Sequence, residues 1–175
     1  MGFKLEDGIG SGQQVSVTDN RLDVSARVNG RATYQAIKGL TYFWTTAYNY
    51  AGADTILWMT NTSTNLHLHI EKIHISSNTT TQFTVHSPVY TTPGGTIITG
   101  VNSNRISGNI ATAVCYQAEE NNAQANILIQ DFVLANTTIV LPVDGKIILG
   151  YHDCIAVDFV TVGTMGMITF VGYYD

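Results

Sequence analysis

The sequence predicts an all-β chain, folded as a two-sheet β-sandwich of jelly-roll type behind a flexible N-terminal arm. Three observations carry that expectation. Apolar residues recur at every second position in many short runs, which is the period of a strand with one buried face. Thr, Val and Ile are abundant throughout, and β-branched side chains suit a pleated, half-buried surface. Turn formers fall between the runs at short spacing, among them Asn29-Gly30, Gly94-Gly95, Asp144-Gly145 and Gly163. That punctuation belongs to a sandwich or barrel rather than to alternating βα units.

The elements follow in chain order. Residues 1–14, with Gly8, Gly10 and Gly12, read as a flexible arm, and residues 15–175 as a single domain. Phe3 and Leu5 on such an arm would be wasted in solvent, so the arm is expected to dock on a partner. Leu22, Val24, Ala26 and Val28 alternate with polar residues and lead to Asn29-Gly30, a two-residue hairpin signal. Short apolar runs follow at Tyr42 to Trp44 and Thr55 to Met59. Leu66, Leu68 and Ile70 keep one phase, whereas Ile73 and Ile75 keep the other. A β-bulge near Glu71-Lys72 would let both halves face inward.

Strand patterns continue at Phe83 and Val85, Ile97 and Ile98, Ile127 to Val133, Ile139 to Val143, Ile147 to Leu149, and Ile155 to Phe159. The closing run, Met165 to Val171, is apolar on both faces, which predicts a central strand or one at a subunit contact. No helix is expected. The best candidate, Ala118 to Ala125, has no apolar stripe at helical spacing.

Composition narrows the function. With 175 residues and 45% apolar content, the chain has enough material for one buried core. Charged residues make up only 12%, against about 25% in ordinary soluble domains. A surface so weakly ionised is expected to be covered in part by other subunits. The net charge of −5 argues against a nucleic-acid partner, which calls for a basic stripe. Arg21, Arg27 and Arg31 are too few for a phosphate track but fit a local patch for an acidic protein partner. No apolar run approaches the ~18 residues of a membrane span, and the N-terminus lacks the apolar centre of a signal peptide. Cys115 and Cys154 are too far apart for a metal knuckle. They are either two buried thiols or one disulfide, the thiols being favoured in a reducing cytoplasm.

Several residues invite a chemical reading, each beside a plainer one. His67, His69 and Glu71 would share one face of a regular strand, and imidazoles two apart can hold a metal. The spacing is similar to the start of a cupin metal motif, but the later Glu and a distant second His are missing. The polar face of a strand is the simpler expectation. His152 and Cys154 share a face, yet no oxyanion hole or nucleophile elbow accompanies them. Asp158 sits inside a strand and is expected to pair with an arginine. Tyr42, Trp44, Tyr48, Tyr50 and Trp58 form an aromatic-rich region, expected to pack core and interface rather than to stack on sugars. Three Asn-x-Thr/Ser patterns, at Asn61, Asn78 and Asn136, follow from the abundance of those residues. No catalytic residue, metal or cofactor is expected, and the chain reads as a structural unit rather than an enzyme.

Leu5-Glu6-Asp7-Gly8 with Gly10 and Gly12, then Asn20-Arg21-Leu22-x-Val24-x-Ala26, resemble the opening of a family of tailed-bacteriophage structural proteins. Asn61-Thr62-Ser63, Gly95-Thr96, Thr99-Gly100-Val101-Asn102-x-Asn104, Ile148-Leu149-Gly150 and Ile155-x-Val157-Asp158-Phe159 are similar to the same family. The resemblance implies a virion component, most often a capsid decoration (cement) protein. Such a protein is made in the host cytoplasm and sits on the outer capsid surface as a homotrimer bound to the major capsid protein. Phe3, Leu5, Arg21, Arg27 and Arg31 are the expected capsid contacts. The competing expectation is a receptor-binding or tail-fibre head domain that recognises host glycans.

Overall fold

The computed structural model describes residues 17–18, 21–22, 31–49, 54–92, 94–119, 124–160 and 165–175. The chain divides into two units, residues 1–30 and 31–175. In the first, β1 (Val17–Thr18) and β2 (Arg21–Leu22) pair antiparallel. The expected arm of residues 1–14, the Asn29-Gly30 turn and the continuation of the strand to Val28 lie outside the described residues.

The second unit opens with α1 (Arg31–Ile37) and continues through eleven described strands. In order these are β3 (Thr41–Asn49), β4 (Asp54–Thr60), β5 (Leu68–Ser77), β6 (Thr81–His86), β7 (Thr96–Ile98) and β8 (Val101–Asn102). They are followed by β9 (Val114–Glu119), β10 (Ile127–Val133), β11 (Thr137–Leu149), β12 (Cys154–Phe159) and β13 (Met165–Tyr174). Six strands form one antiparallel sheet in the order β10-β6-β12-β4-β9-β7, and five form another in the order β11-β5-β13-β3-β8. From β3 to β6, and again from β10 to β13, successive strands alternate between the sheets. The expected jelly-roll sandwich is therefore the fold of this unit.

One core lies between the sheets. Trp44, Ile56, Ile73, Ile75, Phe83, Phe159 and Phe170 have no exposed surface. All six residues of β12 are buried. Ile155, Val157 and Phe159 enter the main core, while Cys154 and Ala156 lie beneath Trp58 and Tyr116 on the other side. Both cysteines are free and buried.

The phase shift in β5 is a bulge at Glu71. Lys72 is the partner of Pro142 on β11 and Val171 on β13, whereas Ile70 is the partner of Ile147 and Gly172. Glu71 is skipped on both sides, so Ile70 and Ile73 both point inward, and both are fully buried. The closing strand β13 lies between β5 and β3, as its two-sided apolar sequence predicted. Gly172 is required there, because a Cβ would come within 2.8 Å of the His69 carbonyl oxygen.

Two expectations are corrected. Asp144-Gly145 does not end a strand. Both residues adopt positive φ, 50° and 69°, and form an irregularity inside the single strand β11. The chain also has a helix, α1; of the candidate stretch, Ala118 and Glu119 belong to β9 and residues 120–123 lie outside the described residues. Only Gln35 of α1 is buried, so no apolar stripe announces it. Its C-terminus is closed by Gly39 at φ 71°, with the Gly39 N–H donating to Ala36 O and Leu40 N–H to Gln35 O.

Candidate functional site

The sandwich gathers α1, the start of β3, the start of β5, the end of β13 and the loop after β8 at one end. Asn102 at the end of β8 and two asparagines of that loop hold the helix terminus. Asn104 Nδ2 donates to Ile37 O (3.1 Å), Asn109 Nδ2 to Lys38 O (3.2 Å) and Asn102 Nδ2 to Gly39 O (2.9 Å). The carbonyls left open at a helix C-terminus are thereby satisfied by side chains. Tyr34 (40% exposed) and Ile37 (59% exposed) stand out from the helix, and Lys38 lies 5.4 Å from the Tyr34 ring centroid.

Arg31 begins α1, and it is here that the preceding thirty residues join the sandwich. Its guanidinium meets one carboxylate oxygen of Asp175. The other oxygen lies 2.8 Å from His69 Nε2. The His69 ring is stacked on Tyr173 at 5.0 Å, and its Nδ1 lies 3.3 Å from Gly145 O. Arg31, Asp175 and His69 thus tie the helix to β13, β5 and the irregular turn of β11.

Burial is the largest cause lowering the His69 pKa; the hydrogen bond to Gly145 O opposes it, and the Arg31 and His67 charges add to the lowering. The unfolded chain then binds this proton at a higher pH than the folded one. Stability from this site is full above about pH 6.5 and is lost as pH falls below it. The melting temperature is expected to drop on acidification, and His69→Gln is expected to flatten that dependence. An unchanged slope in the variant would contradict the assignment.

The other sequence-predicted positions distribute as follows. Arg31 is the one expected capsid contact whose side chain is described, and it is 65% exposed while bonded to Asp175. Arg21 lies in β2 of the other unit. Phe3, Leu5 and Arg27 lie outside the described residues. His67 precedes β5 and is exposed, His69 is buried, and Glu71 is the bulge residue, so the three do not converge. Among the described residues no three of His, Cys, Asp and Glu gather closely enough to hold a metal ion.

His152 and Cys154 do not form a thiolate pair. The thiol donates to the His152 carbonyl at 3.4 Å, and burial raises its pKa. The His152 ring instead lies between Tyr90 (4.3 Å) and Tyr151 (3.8 Å). Asp158 does not meet an arginine. It accepts from Thr55 Oγ1 at 2.7 Å and lies 3.0 Å from His86 Nε2. The backbone N–H of Ala125 donates to His86 Nδ1 at 3.4 Å, while the buried Nε2 is near the carboxylate without a hydrogen bond to it. Tyr42, Trp44 and Trp58 are buried, whereas the side chains of Tyr48 and Tyr50 lie outside the described residues.

Known proteins offer no guide here. The chain matches no described protein family, no curated protein and no solved structure.

The surface carries nineteen exposed large apolar side chains among the described residues, on a chain only 12% charged. The set was hard to see in the sequence. Tyr90 and Tyr151 sit in loops without strand periodicity, and Ile37 sits on an unexpected helix. Asn61 was legible only as part of an Asn-x-Ser pattern. It is in fact fully buried, donating to Leu66 O and Leu149 O (both 2.9 Å) and accepting from the Ser63 N–H.

Proposed function

We propose that this chain is a structural protein of a tailed-phage particle, of the capsid decoration kind. In this reading it is no catalyst, needs no cofactor, and binds the major capsid protein on the outer surface of the head as an oligomer. The observation that carries the reading is the surface: many exposed apolar side chains, few ionised ones, and thirty residues joined to the sandwich at the braced Arg31 position. Exposed apolar side chains that gather into a patch mark protein contacts. Contacts from the preceding residues would add area, and several modest contacts on one particle would sum to tight attachment. Phe3, Leu5, Arg21, Arg27 and Arg31 remain the proposed capsid contacts.

Particles lacking this chain are expected to adsorb to host cells normally and to release DNA at a lower temperature than complete particles. Adding the purified protein back should restore the higher temperature. Unaltered heat resistance in its absence would remove the proposal.

A second reading, a receptor-binding or tail-fibre head domain, is favoured by one observation. The ring stack Tyr90–His152–Tyr151 leaves Tyr90 42% and Tyr151 55% exposed, and flat exposed rings suit sugar faces. Trp44 and Trp58 cannot serve, since neither has exposed surface. Loss of adsorption with heat resistance intact, in the particle experiment above, is the outcome that would favour this reading.

A further inference from the structure

The five-stranded sheet turns one side to the core, and the strand registers define what its other side carries. Val101, Phe43, Val171, Lys72 and Pro142 are level across β8, β3, β13, β5 and β11. Two positions along lie Thr45, Thr169, His74 and Val140, and two further lie Met167, Ser76 and Thr138. The residues between them, among them Trp44, Ile73, Ile75, Ile168 and Phe170, enter the core, so the three rows share the outer face. Phe43, Val101, Val140, Met165 and Met167 are 39–56% exposed there. One end of the face is closed by α1, where Thr41 Oγ1 donates to Ala32 O (3.4 Å) and Arg31 meets Asp175 beside His69.

The hydroxyls of this face are matched to one another. Thr45 Oγ1 lies 3.0 Å from Thr169 Oγ1, and Ser76 Oγ lies 2.8 Å from Thr138 Oγ1. Hydroxyls paired across strands can lose water without needing a new partner. The ionisable residues of the three rows are Lys72, which follows the bulge residue Glu71, and His74. So little charge offers no track to a nucleic acid. From Met165 to Val171 the face is four strands wide, with Val101 adding a corner. At about 4.8 Å per strand and 3.4 Å per residue this makes roughly 500 Å² as a flat projection. Two such faces in contact bury roughly 1,000 Å², the size at which a specific interface begins.

We infer that two copies of this chain pair through this face, sheet against sheet, about a two-fold axis running over Thr169. The face complements itself under that operation. Whether the axis runs along β13 or across it, Met167 and Val171 meet each other or their own counterparts. Lys72 comes over Phe43 or Ser76 of the other copy and never over its own counterpart, so like charges are not opposed. Aligned sheets stack in this way about 10 Å apart, with side chains interdigitating between them. Pairing uses the face up, so the product is a dimer and not a filament. This inference does not depend on the capsid reading, and its test uses the purified full chain alone.

By light scattering the wild-type protein is expected as a dimer. Met167→Asp sits at a position exposed enough to leave the fold intact, which circular dichroism will show. It is expected as a monomer, with the dissociation constant raised by about 100-fold or more. Thr169→Cys gives an independent readout, because Cys115 and Cys154 are both buried. A short bis-maleimide is expected to link Thr169→Cys into covalent dimers and to leave Leu128→Cys, in the other sheet, as single chains. A monomeric or trimeric wild type would overturn the inference. So would Met167→Asp keeping the wild-type mass, or Leu128→Cys cross-linking in preference to Thr169→Cys.

Discussion

Replacing Asp158 with alanine is expected to cost about 3–5 kcal/mol of folding stability, the usual result of removing one partner from a buried charged contact. The His86 side chain has no exposed surface, and its Nε2 faces the Asp158 carboxylate at 3.0 Å. Without the carboxylate, the Thr55 hydroxyl loses this acceptor and the buried His86 ring loses its neighbouring carboxylate oxygen, inside a water-poor layer. The measurement is the urea midpoint of the variant against wild type. Asp158→Asn, which keeps an acceptor oxygen for Thr55, is expected to lose less. A loss under about 1 kcal/mol for the alanine variant would show that the pair adds little beyond an ordinary hydrogen bond.

Trp44→Ala is expected to be comparably damaging, at about 3–5 kcal/mol. The ring is fully buried in the five-stranded sheet, 5.8 Å from Tyr42. Gly100 lies so close that a Cβ there would meet Trp44 Nε1 at 2.5 Å. The cavity left by alanine has rigid strands on its sides and little means of collapse. Trp44→Phe should recover much of the loss. It refills most of the volume and removes an indole N–H that has no hydrogen-bond partner in the structure. Thermal unfolding of the two variants checks this, and a Trp44→Phe variant as unstable as Trp44→Ala would contradict it. An effect on particle adsorption with stability unchanged would instead mean that Trp44 acts at a surface.

The strands were legible because burial on one face imposes a period of two. That logic extends to the bulge. Leu68 and Ile70 against Ile73 and Ile75 are out of phase by one residue, and only an extra residue at Glu71 reconciles them. It extends in part to β13, which is central between β5 and β3 while Met165 and Met167 on its outer face stay exposed. The helix was not legible, because α1 is seven residues long, buries only Gln35 and is held from outside by Asn102, Asn104 and Asn109. Capping by side chains sixty or more positions away leaves no local signal. The same reason hid the partners of His69 and Asp158. His69 finds Asp175 across 106 positions and Asp158 finds Thr55 across 103, which periodicity cannot report. Asp144-Gly145 carried a turn signal that was real, but the hydrogen bonding of β11 to β5 resumes beyond it.

The long pairing of β3 with β13 has a mechanical consequence. Any pull arriving from residues before Arg31 passes through the helix into β3. Nine successive positions of β3, from Thr41 to Asn49, are matched with β13 from Tyr173 to Met165. When tension runs along those strands, the rungs share the load and have to shear together instead of peeling one by one. A tether fixed at that point is therefore anchored in a long, unbroken strand pairing.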